Sequence, residues 1–346
     1  MKYLIWGTGK YAERFVANAK GIVNDIIGFV ETVKDISSFM GKRVYSINEL
    51  SNLDYDCILI ASRHISEIKN EINKSALTMD KMVFLQNSWF PMDHGRWRLD
   101  KPFAGYDEGR ALFTHFGVCT FSKELADKLR RDTDGSSFWK QLESYDTKTA
   151  ISVSSRKQEE MLKRFFFPCL SPNDVICDYG CASGEWSRLL APYVKRIDGF
   201  DISEKMIAHA KRVSSDKGIG NIVYSACDAQ EFKLINQYDH FVMLGLLTCI
   251  KDWETVGNIV LQLADTVKNG GLLATRDTLN LNTENAKTLY TYDRCSEYFA
   301  IYHSYAMYKD VFCRNGFELL AEQYFYPYFE KPFGLGSHGF IWRKNR

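Results

Sequence analysis

Residues 175–187, VICDYGCASGEWS, decide the fold of the C-terminal part of the chain, because they predict a short apolar strand, a turn of small residues and the start of a helix. Asp178 lies at the end of the predicted strand, and Gly180, Ala182 and Gly184 let the backbone pass close to a ligand. A carboxylate beside bare backbone N–H groups suits a ligand that offers hydroxyls together with a carboxylate or phosphate. The stretch therefore indicates a nucleotide-like cofactor.

A second predicted strand follows at the spacing that a nucleotide site needs. Residues 195–203 end this strand at Asp201, 17 residues after Gly184. That distance fits one helix and one strand, and it places a carboxylate where the diol of a ribose would lie.

Three more predicted strands extend the pattern. Residues 221–227 lead to Asp228-Ala229, where an acid can accept a hydrogen bond from an adenine amino group. Residues 238–247 are apolar enough for a buried strand, and 268–277 form another after Gly270-Gly271.

Over residues 145–346 this succession resembles the class I S-adenosylmethionine-dependent methyltransferases. Ala182 stands where many members carry a middle glycine. The resemblance implies S-adenosyl-L-methionine as cofactor and a seven-stranded sheet whose last strand is antiparallel. The matching elements are Asp178–Gly184, Asp201, Asp228-Ala229 and Gly270-Gly271. The cofactor-binding residues that it implies are Asp178, Gly180, Cys181, Gly184, Asp201, Ile202, Met206, Asp228, Ala229 and Leu244.

The end of the chain favours the same fold. Residues 305–316 predict a helix ended by Asn315-Gly316. Residues 317–325 and 339–343 then predict two strands with no helix between them, which indicates an antiparallel pair at the sheet edge.

The front of the chain predicts a second, smaller α/β domain over residues 1–90. It opens with a strand and a G-x-G-x-x-A turn at Gly7 and Gly9, and its next strand ends at Glu31. Through these three residues, the front region resembles the Rossmann-like domains that precede catalytic domains in bacterial sugar-modifying enzymes. That group includes the nucleotide-sugar-binding domain of sugar acetyltransferases. Three alternatives stay open: a nucleotide or nucleotide-sugar site, a structural or dimerising domain without a ligand, and an active NAD domain. No partner residue for hydride chemistry is evident, which disfavours the last.

Between the two sheets, residues 87–149 show no strand rhythm, so we expect a helical linker or cap over 91–144. Ser122 is the predicted N-cap of a helix there. The predicted fold class is therefore α/β, with two Rossmann-like domains at 1–90 and 145–346.

Composition excludes several function classes. The net charge is +1, from 44 basic and 43 acidic residues, so we expect no nucleic-acid partner. No apolar run reaches the length of a membrane span, and no signal peptide is expected, because Met1-Lys2 leads directly into a strand. The nine cysteines include no C-x-x-C pair, which favours reduced thiols and the cytoplasm. A homodimer remains open.

The chemistry is expected at the ends of the fourth and fifth strands of the methyltransferase region. A hydroxyl acceptor must lose its proton to a general base or with help from a metal. His303 is the predicted base, with Asp277 and Arg276 as further catalytic candidates. No acid pair follows the fourth strand, so no metal is predicted. The predicted acceptor-binding residues, aromatic rings with polar tips and one clamping arginine, are Tyr290, Tyr292, Arg294, Tyr298 and Tyr302.

Each of these candidates has a structural alternative. His303 can be a hydrogen-bonded core histidine, Asp277 can cap a turn, and the tyrosines can line a core. The function predicted is O-methylation of a sugar or nucleotide-sugar in surface-polysaccharide biosynthesis, where the sugar rests on the resemblance of the front domain. The alternatives are a secondary-metabolite or other small-molecule acceptor, a non-catalytic cofactor-binding scaffold, and a nicotinamide oxidoreductase.

Overall fold

The computed structural model describes most of the chain. The described residues are 1–18, 22–62, 64–85, 92–93, 96–97, 117–129, 136–142, 151–281, 288–293, 298–327 and 334–345.

Strands and helices alternate in both halves of the described chain. The strands are β1 Tyr3–Trp6, β2 Ile26–Glu31, β3 Ser38–Phe39, β4 Lys42–Ser46, β5 Cys57–Ile60, β6 Met82–Leu85, β7 Met92–Asp93, β8 Arg96–Trp97, β9 Gly117–Thr120, β10 Val175–Tyr179, β11 Arg196–Asp201, β12 Ile222–Ala226, β13 Tyr238–Leu244, β14 Val267–Asn280, β15 Leu289–Asp293, β16 Tyr298–Tyr302, β17 Phe317–Pro327 and β18 Leu335–Lys344. The helices are α1 Lys10–Asn18, α2 Ile65–Lys74, α3 Lys123–Leu129, α4 Ser137–Gln141, α5 Ile151–Phe165, α6 Glu185–Leu190, α7 Glu204–Asp216, α8 Trp253–Thr266 and α9 Tyr305–Arg314.

The chain forms two compact units, each assembled from more than one segment. The first unit comprises Met1–Thr133, Lys287–Phe299 and Lys331–Phe333. The second comprises Asp134–Ala286, Ala300–Glu330 and Gly334–Arg346.

The first unit is built on a sheet whose strand order is β16-β15-β9-β6-β5-β1-β2-β4-β3. Strands β1, β2, β4, β5 and β6 run parallel, and the side chains of β1, β5 and β6 are all buried, as the apolar runs predict. Strand β9 then pairs antiparallel with β6 on one side and with β15 on the other.

The antiparallel addition of β9 and β15 was not expected from the sequence. Strand β9 has four residues and lies where no strand rhythm is present. Its partner β15 is far away in the chain: the Cys119 Sγ and Thr291 Oγ1 atoms lie 3.1 Å apart, although 172 residues separate them in sequence. A pairing over such a distance leaves no local signal. The predicted Ser122 cap is present, since its Oγ accepts a hydrogen bond from the Leu125 N–H at 3.1 Å.

The second unit is built on a seven-stranded sheet of order β12-β11-β10-β13-β14-β18-β17. The first five of these strands are parallel, and β18 is antiparallel to both β14 and β17. The predicted fold class, with its antiparallel last strand, is confirmed. Helices α8 and α9 cover one face of this sheet, where Leu273, Phe312 and Trp342 share a core, and α5 covers the other through Met161.

Candidate functional site

The turn after β10 holds three residues in the left-handed backbone region. Gly180 has a φ of 83°, Ala182 of 46° and Gly184 of 76°. A Cβ on Gly184 would lie 2.3 Å from the Tyr224 Oη, and one on Gly180 would lie 3.3 Å from the Leu246 Cβ. Both glycines are therefore required for this path of the backbone. The N–H groups of Gly180 and Cys181 both donate to the Phe200 carbonyl at 2.8 Å, so the bare N–H groups expected from the sequence are not found at these two positions.

Asp178, near the end of β10, is buried and hydrogen-bonded to the helix that follows the turn. It is 1% exposed, and its Oδ2 accepts a hydrogen bond of 2.5 Å from Ser187 Oγ on α6. Burial raises the pKa of Asp178 to about 7, although the Ser187 hydrogen bond opposes that rise. The carboxyl thus ties the strand end to the helix that follows.

Asp201 joins the ends of β10 and β11. Its Oδ2 accepts from the Ala182 N–H at 2.9 Å, and its Oδ1 accepts from the Ser203 N–H at 3.0 Å. Burial raises the pKa of Asp201, and these backbone hydrogen bonds oppose the shift. A carboxylate oxygen has two lone pairs, so each oxygen retains a lone pair for a ribose hydroxyl.

The remaining predicted cofactor residues line the same edge of the sheet. Asp228 is half-buried, and its Oδ1 accepts from the Gln230 N–H at 2.9 Å. The Ala229 carbonyl accepts from Tyr179 Oη at 3.1 Å. Ile202 and Leu244 are half-buried, whereas the Cys181 and Met206 side chains are buried in the core. The Cys181 N–H donates to the Phe200 carbonyl and the Met206 N–H to Ser203 Oγ, so the structure does not bring these two residues to a ligand. The arrangement fits an adenosyl cofactor, because the Asp201 and Asp228 carboxylates and the half-buried apolar surface of Ile202 and Leu244 lie at or just after the ends of neighbouring parallel strands.

Asp277, a predicted catalytic residue, has both carboxylate oxygens in use. Its Oδ1 accepts from Thr248 N at 2.9 Å and from Thr248 Oγ1 at 2.7 Å, while Oδ2 accepts from Tyr308 Oη at 2.8 Å. Burial raises the pKa of Asp277. The residue thus fixes the loop after β13 and helix α9 against β14.

His303, the predicted base, lies beyond the end of β14. Its carbonyl accepts from the Asn280 N–H at 2.9 Å, and its ring lies 4.5 Å from the Trp253 ring. The side chain is 3% exposed, and neither ring nitrogen has a hydrogen-bond partner within the described residues. Burial lowers the pKa of His303 to about 4, so the ring is neutral at pH 7.

The buried His240 shows what a structural histidine looks like in this unit. Its Nδ1 accepts from the Leu272 N–H at 3.0 Å, so its Nε2 carries the proton and donates to Asp174 Oδ2 at 3.2 Å. Both nitrogens of His240 are satisfied, in contrast to those of His303.

Arg276 is held at the edge between β13 and β14. Its Nε donates to Gln158 Oε1 on α5 at 3.0 Å. Its Nη1 lies 3.5 Å from the point where a Cβ on Gly245 would stand, in the loop that follows β13. No carboxylate in the described part of the chain forms an ion pair with Arg276.

The predicted acceptor-binding tyrosines do not gather at this edge within the second unit. Tyr290 and Tyr298 belong to the first unit, where the Tyr290 ring lies 6.1 Å from that of Phe299. Tyr302 is in the second unit but is 2% exposed. The backbone of Tyr292 lies on β15, whereas Arg294 lies outside the described residues.

The front turn borders a cavity of about 410 Å³ within the first unit. Gly7 has a φ of 117°, and a Cβ there would lie 2.9 Å from the Ala61 carbonyl oxygen, whereas a Cβ on Gly9 would meet nothing within 4 Å. The Thr8 hydroxyl donates to Glu31 Oε1. The cavity lining includes Trp6, Thr8, Glu31, Ser62, His64 and Ile68.

Several residues that shape these sites were not predicted. Gln158, Thr248, Trp253 and Tyr308 carry no motif, and each acts through a partner distant in sequence. Across the described ranges, no cluster of three or more acids, cysteines or histidines could hold a metal ion. Those same ranges contain no helix both long and apolar enough to cross a membrane.

Two family models match this chain. Residues 1–83 match the model described as C2185-like, N-terminal, and residues 176–271 match the model described as methyltransferase domain. No curated protein matches the chain.

Solved methyltransferase structures are similar to part of the chain. The N-methyltransferase NodS from Bradyrhizobium japonicum WM9, in complex with S-adenosyl-L-homocysteine, is 16% identical with a TM-score of 0.48, over 62% of this chain and 100% of that one. The magnesium protoporphyrin IX methyltransferase ChlM from Synechocystis PCC 6803, with bound S-adenosylmethionine, is 18% identical with a TM-score of 0.44, over 61% of this chain and 89% of that one.

The family match at residues 176–271 covers the turn at Asp178–Gly184 together with Asp201, Asp228 and Leu244, the residues whose geometry fits an adenosyl cofactor. The chain is an S-adenosylmethionine-dependent methyltransferase.

Proposed function

We propose that this methyltransferase acts on a hydroxyl of a sugar or nucleotide-sugar and that His303 is its general base. The observation that supports the base assignment is a buried imidazole with two unpartnered nitrogens, beside the last residue of β14 and the start of α8. An unpaired buried polar group costs free energy, and a role in binding or catalysis explains why it persists.

The chain's own residues divide the work. S-adenosylmethionine, when bound, supplies a methyl group already activated on a sulfonium centre. Asp201 would hold the ribose hydroxyls, and Asp228 would accept from the adenine amino group. Protein groups then need to orient the acceptor, exclude water and accept the hydroxyl proton.

His303 suits the proton step better than Asp277 does. The pKa of His303 is lowered to about 4 by burial, so the ring is neutral at pH 7 and one of its two nitrogens is an unprotonated acceptor. Asp277 already accepts three hydrogen bonds from Thr248 and Tyr308, which occupy both of its oxygens. Removing Asp277 would therefore disturb the loop and α9 rather than one proton transfer.

The sugar-like acceptor and the place in surface-polysaccharide biosynthesis are supported by the resemblance of the front domain to sugar-enzyme domains. The cavity beside Gly7 and Gly9, with Glu31 on its wall, is also compatible with a nucleotide-sugar. A secondary-metabolite or other small-molecule acceptor is the alternative.

The test is transfer of a labelled methyl group from S-adenosylmethionine to a panel of nucleotide-sugars and free sugars. We expect His303→Gln to lower the turnover rate by about 100-fold or more, because general-base catalysis contributes roughly that much. Binding of S-adenosylhomocysteine should stay within about twofold in the same variant. Wild-type turnover in His303→Gln contradicts the base assignment, and transfer only to non-sugar acceptors contradicts the substrate class.

The front site has its own test, because it is independent of methyl transfer. Calorimetry with nucleotide-sugars should show binding that Glu31→Ala weakens, while an enhancement of NADH fluorescence that Gly9→Val removes would favour the dinucleotide alternative. If neither ligand binds, the first unit is a structural domain.

A further inference from the structure

Two buried hydrogen-bond donors in the second unit lack partners on the same face of its sheet. Gln158 Nε2 and Ser337 Oγ form no hydrogen bond within the described residues, although the two side chains are only 1% and 5% exposed. Native proteins rarely leave such groups unpaired, so each needs an explanation.

The strand register brings these donors to Arg276. Ser337 on β18 lies opposite Thr278 on β14, and Gly339 lies opposite Arg276. Because side chains alternate along a strand, Arg276, Thr278 and Ser337 share one face. Helix α5 covers that face, and Gln158 on α5 accepts from Arg276 Nε with its Oε1.

The cluster offers donors and a positive charge but few free acceptors. The Gln158 oxygen is already used by Arg276, which leaves its Nε2 hydrogens. The two terminal nitrogens of Arg276 form no hydrogen bond or ion pair with any described residue. A planar guanidinium with an open fork binds carboxylate and phosphate oxygens in pairs.

The cluster also lies next to the cofactor edge. Arg276 is the register partner of Leu244, and its Nη1 points to Gly245 in the loop that follows. An anion held by Arg276 would therefore be placed where an acceptor must approach.

We propose that the methyl acceptor carries a carboxylate or phosphate, which Arg276 binds while Gln158 positions the guanidinium. Gln158 Nε2 and Ser337 Oγ supply further donors to the same anion. This inference rests on the proposed function only in taking this edge as the acceptor side.

The test is calorimetry of the full chain saturated with S-adenosylhomocysteine, titrated with inorganic phosphate and, separately, with acetate. Arg276→Met should weaken binding of the preferred anion by roughly 10- to 100-fold, the usual range for hydrogen bonds to a charged group. Arg343→Met, which removes an exposed arginine at the other end of β18, should leave it unchanged. The tighter of the two anions distinguishes a phosphate from a carboxylate acceptor.

A second variant separates positioning from folding. Gln158→Glu keeps the shape and the bond to Arg276 Nε but places a carboxylate beside the guanidinium that competes with any other anion, so anion binding should be lost without a fall in the unfolding midpoint. Anion binding that is unchanged in Gln158→Glu would show that the anion is not held at Arg276.

The outcomes also separate this proposal from the proposed function. Anion binding that is equal in wild type and Arg276→Met overturns the anion site, whatever the sugar panel shows. Anion binding that depends on Arg276 supports the site even when no sugar is methylated, and then only the sugar assignment fails.

Discussion

The two glycine turns of this chain look alike in sequence and differ in how the structure uses them. In the second unit, the Asp201 carboxylate accepts from the backbone N–H of Ala182, inside the turn itself. In the first unit, Glu31 accepts from the hydroxyl of Thr8. One acid is part of the turn's backbone network, and the other depends on a single side chain.

The glycines differ in the same way. Gly184 is confined by Tyr224 and has a φ of 76°, whereas Gly9 has open space around its Cβ position. A strand, a glycine turn and a following acid therefore do not by themselves reveal a cofactor site. The two regions differ in whether the acid is hydrogen-bonded to the backbone of the turn and in whether the glycine is confined by its neighbours.

The largest effect should come from Gly184→Val. A β-branched residue at this φ is strained, and its Cβ would overlap the Tyr224 hydroxyl, so the turn cannot keep its path. We expect binding of S-adenosylhomocysteine, measured by calorimetry, to be abolished. Gly9→Val is the matched control and should bind within about twofold of wild type. Equal loss in both variants would remove the distinction between the turns.

The next largest effect should come from Asp201→Ala. Two backbone N–H groups lose their acceptor and a ribose loses its partner, which together should weaken S-adenosylhomocysteine binding by about 30-fold or more. Glu31→Ala should leave that affinity unchanged. If the Asp201 variant binds normally, the assignment of the cofactor to the second turn is wrong.

The third prediction concerns His303 of the second unit, which should make the stability of the protein depend on pH. Burial lowers the pKa of His303 from 6.5 to about 4, so the unfolded chain takes up a proton at a higher pH than the folded chain does. The contribution of His303 to the free energy of unfolding is therefore fully present above about pH 6.5 and is lost as the pH falls toward 4. Between pH 7 and pH 5 the free energy of unfolding should fall by about 2 kcal/mol from this group. Denaturant unfolding across this range should show a shallower pH dependence in His303→Phe.

The control for this measurement is His64→Phe, which changes an exposed histidine of the first unit. It should leave the pH dependence as in wild type. A wild-type pH dependence in His303→Phe would mean that the imidazole is not buried in its neutral form.

The smallest expected effect is that of a chelator. No pair of acidic residues follows β13, where the chain has Leu247–Asp252. We therefore expect methyl transfer to be independent of a metal ion. Methyl transfer in excess EDTA should equal that without it. A loss of activity that Mg²⁺ restores would contradict this prediction.

Local patterns were enough to predict the second sheet. Apolar runs such as 238–244 marked the strands, and the acids at their ends marked the edge, because both signals lie within a few residues. The Asn315-Gly316 stop was also predicted, and Gly316 has the expected left-handed φ of 80°.

The hydrogen bonds that shape the site could not be predicted from the sequence, because their partners are far apart along the chain. Asp277 is saturated by Thr248 and Tyr308, which are 29 and 31 residues away. Gln158 reaches Arg276 across 118 residues. Since a glutamine on a helix has no motif, only the folded chain reveals that pairing.

The pairing of β9 with β15 has a consequence for synthesis of the chain. Because 172 residues separate Cys119 from Thr291, a ribosome adding about 5–20 residues per second needs roughly 9–34 s between them. During that time one edge of β9 has unpaired N–H and C=O groups, and such edges pair with other chains. We expect nascent chains halted before residue 287 to associate through this edge, and slower translation to worsen the yield.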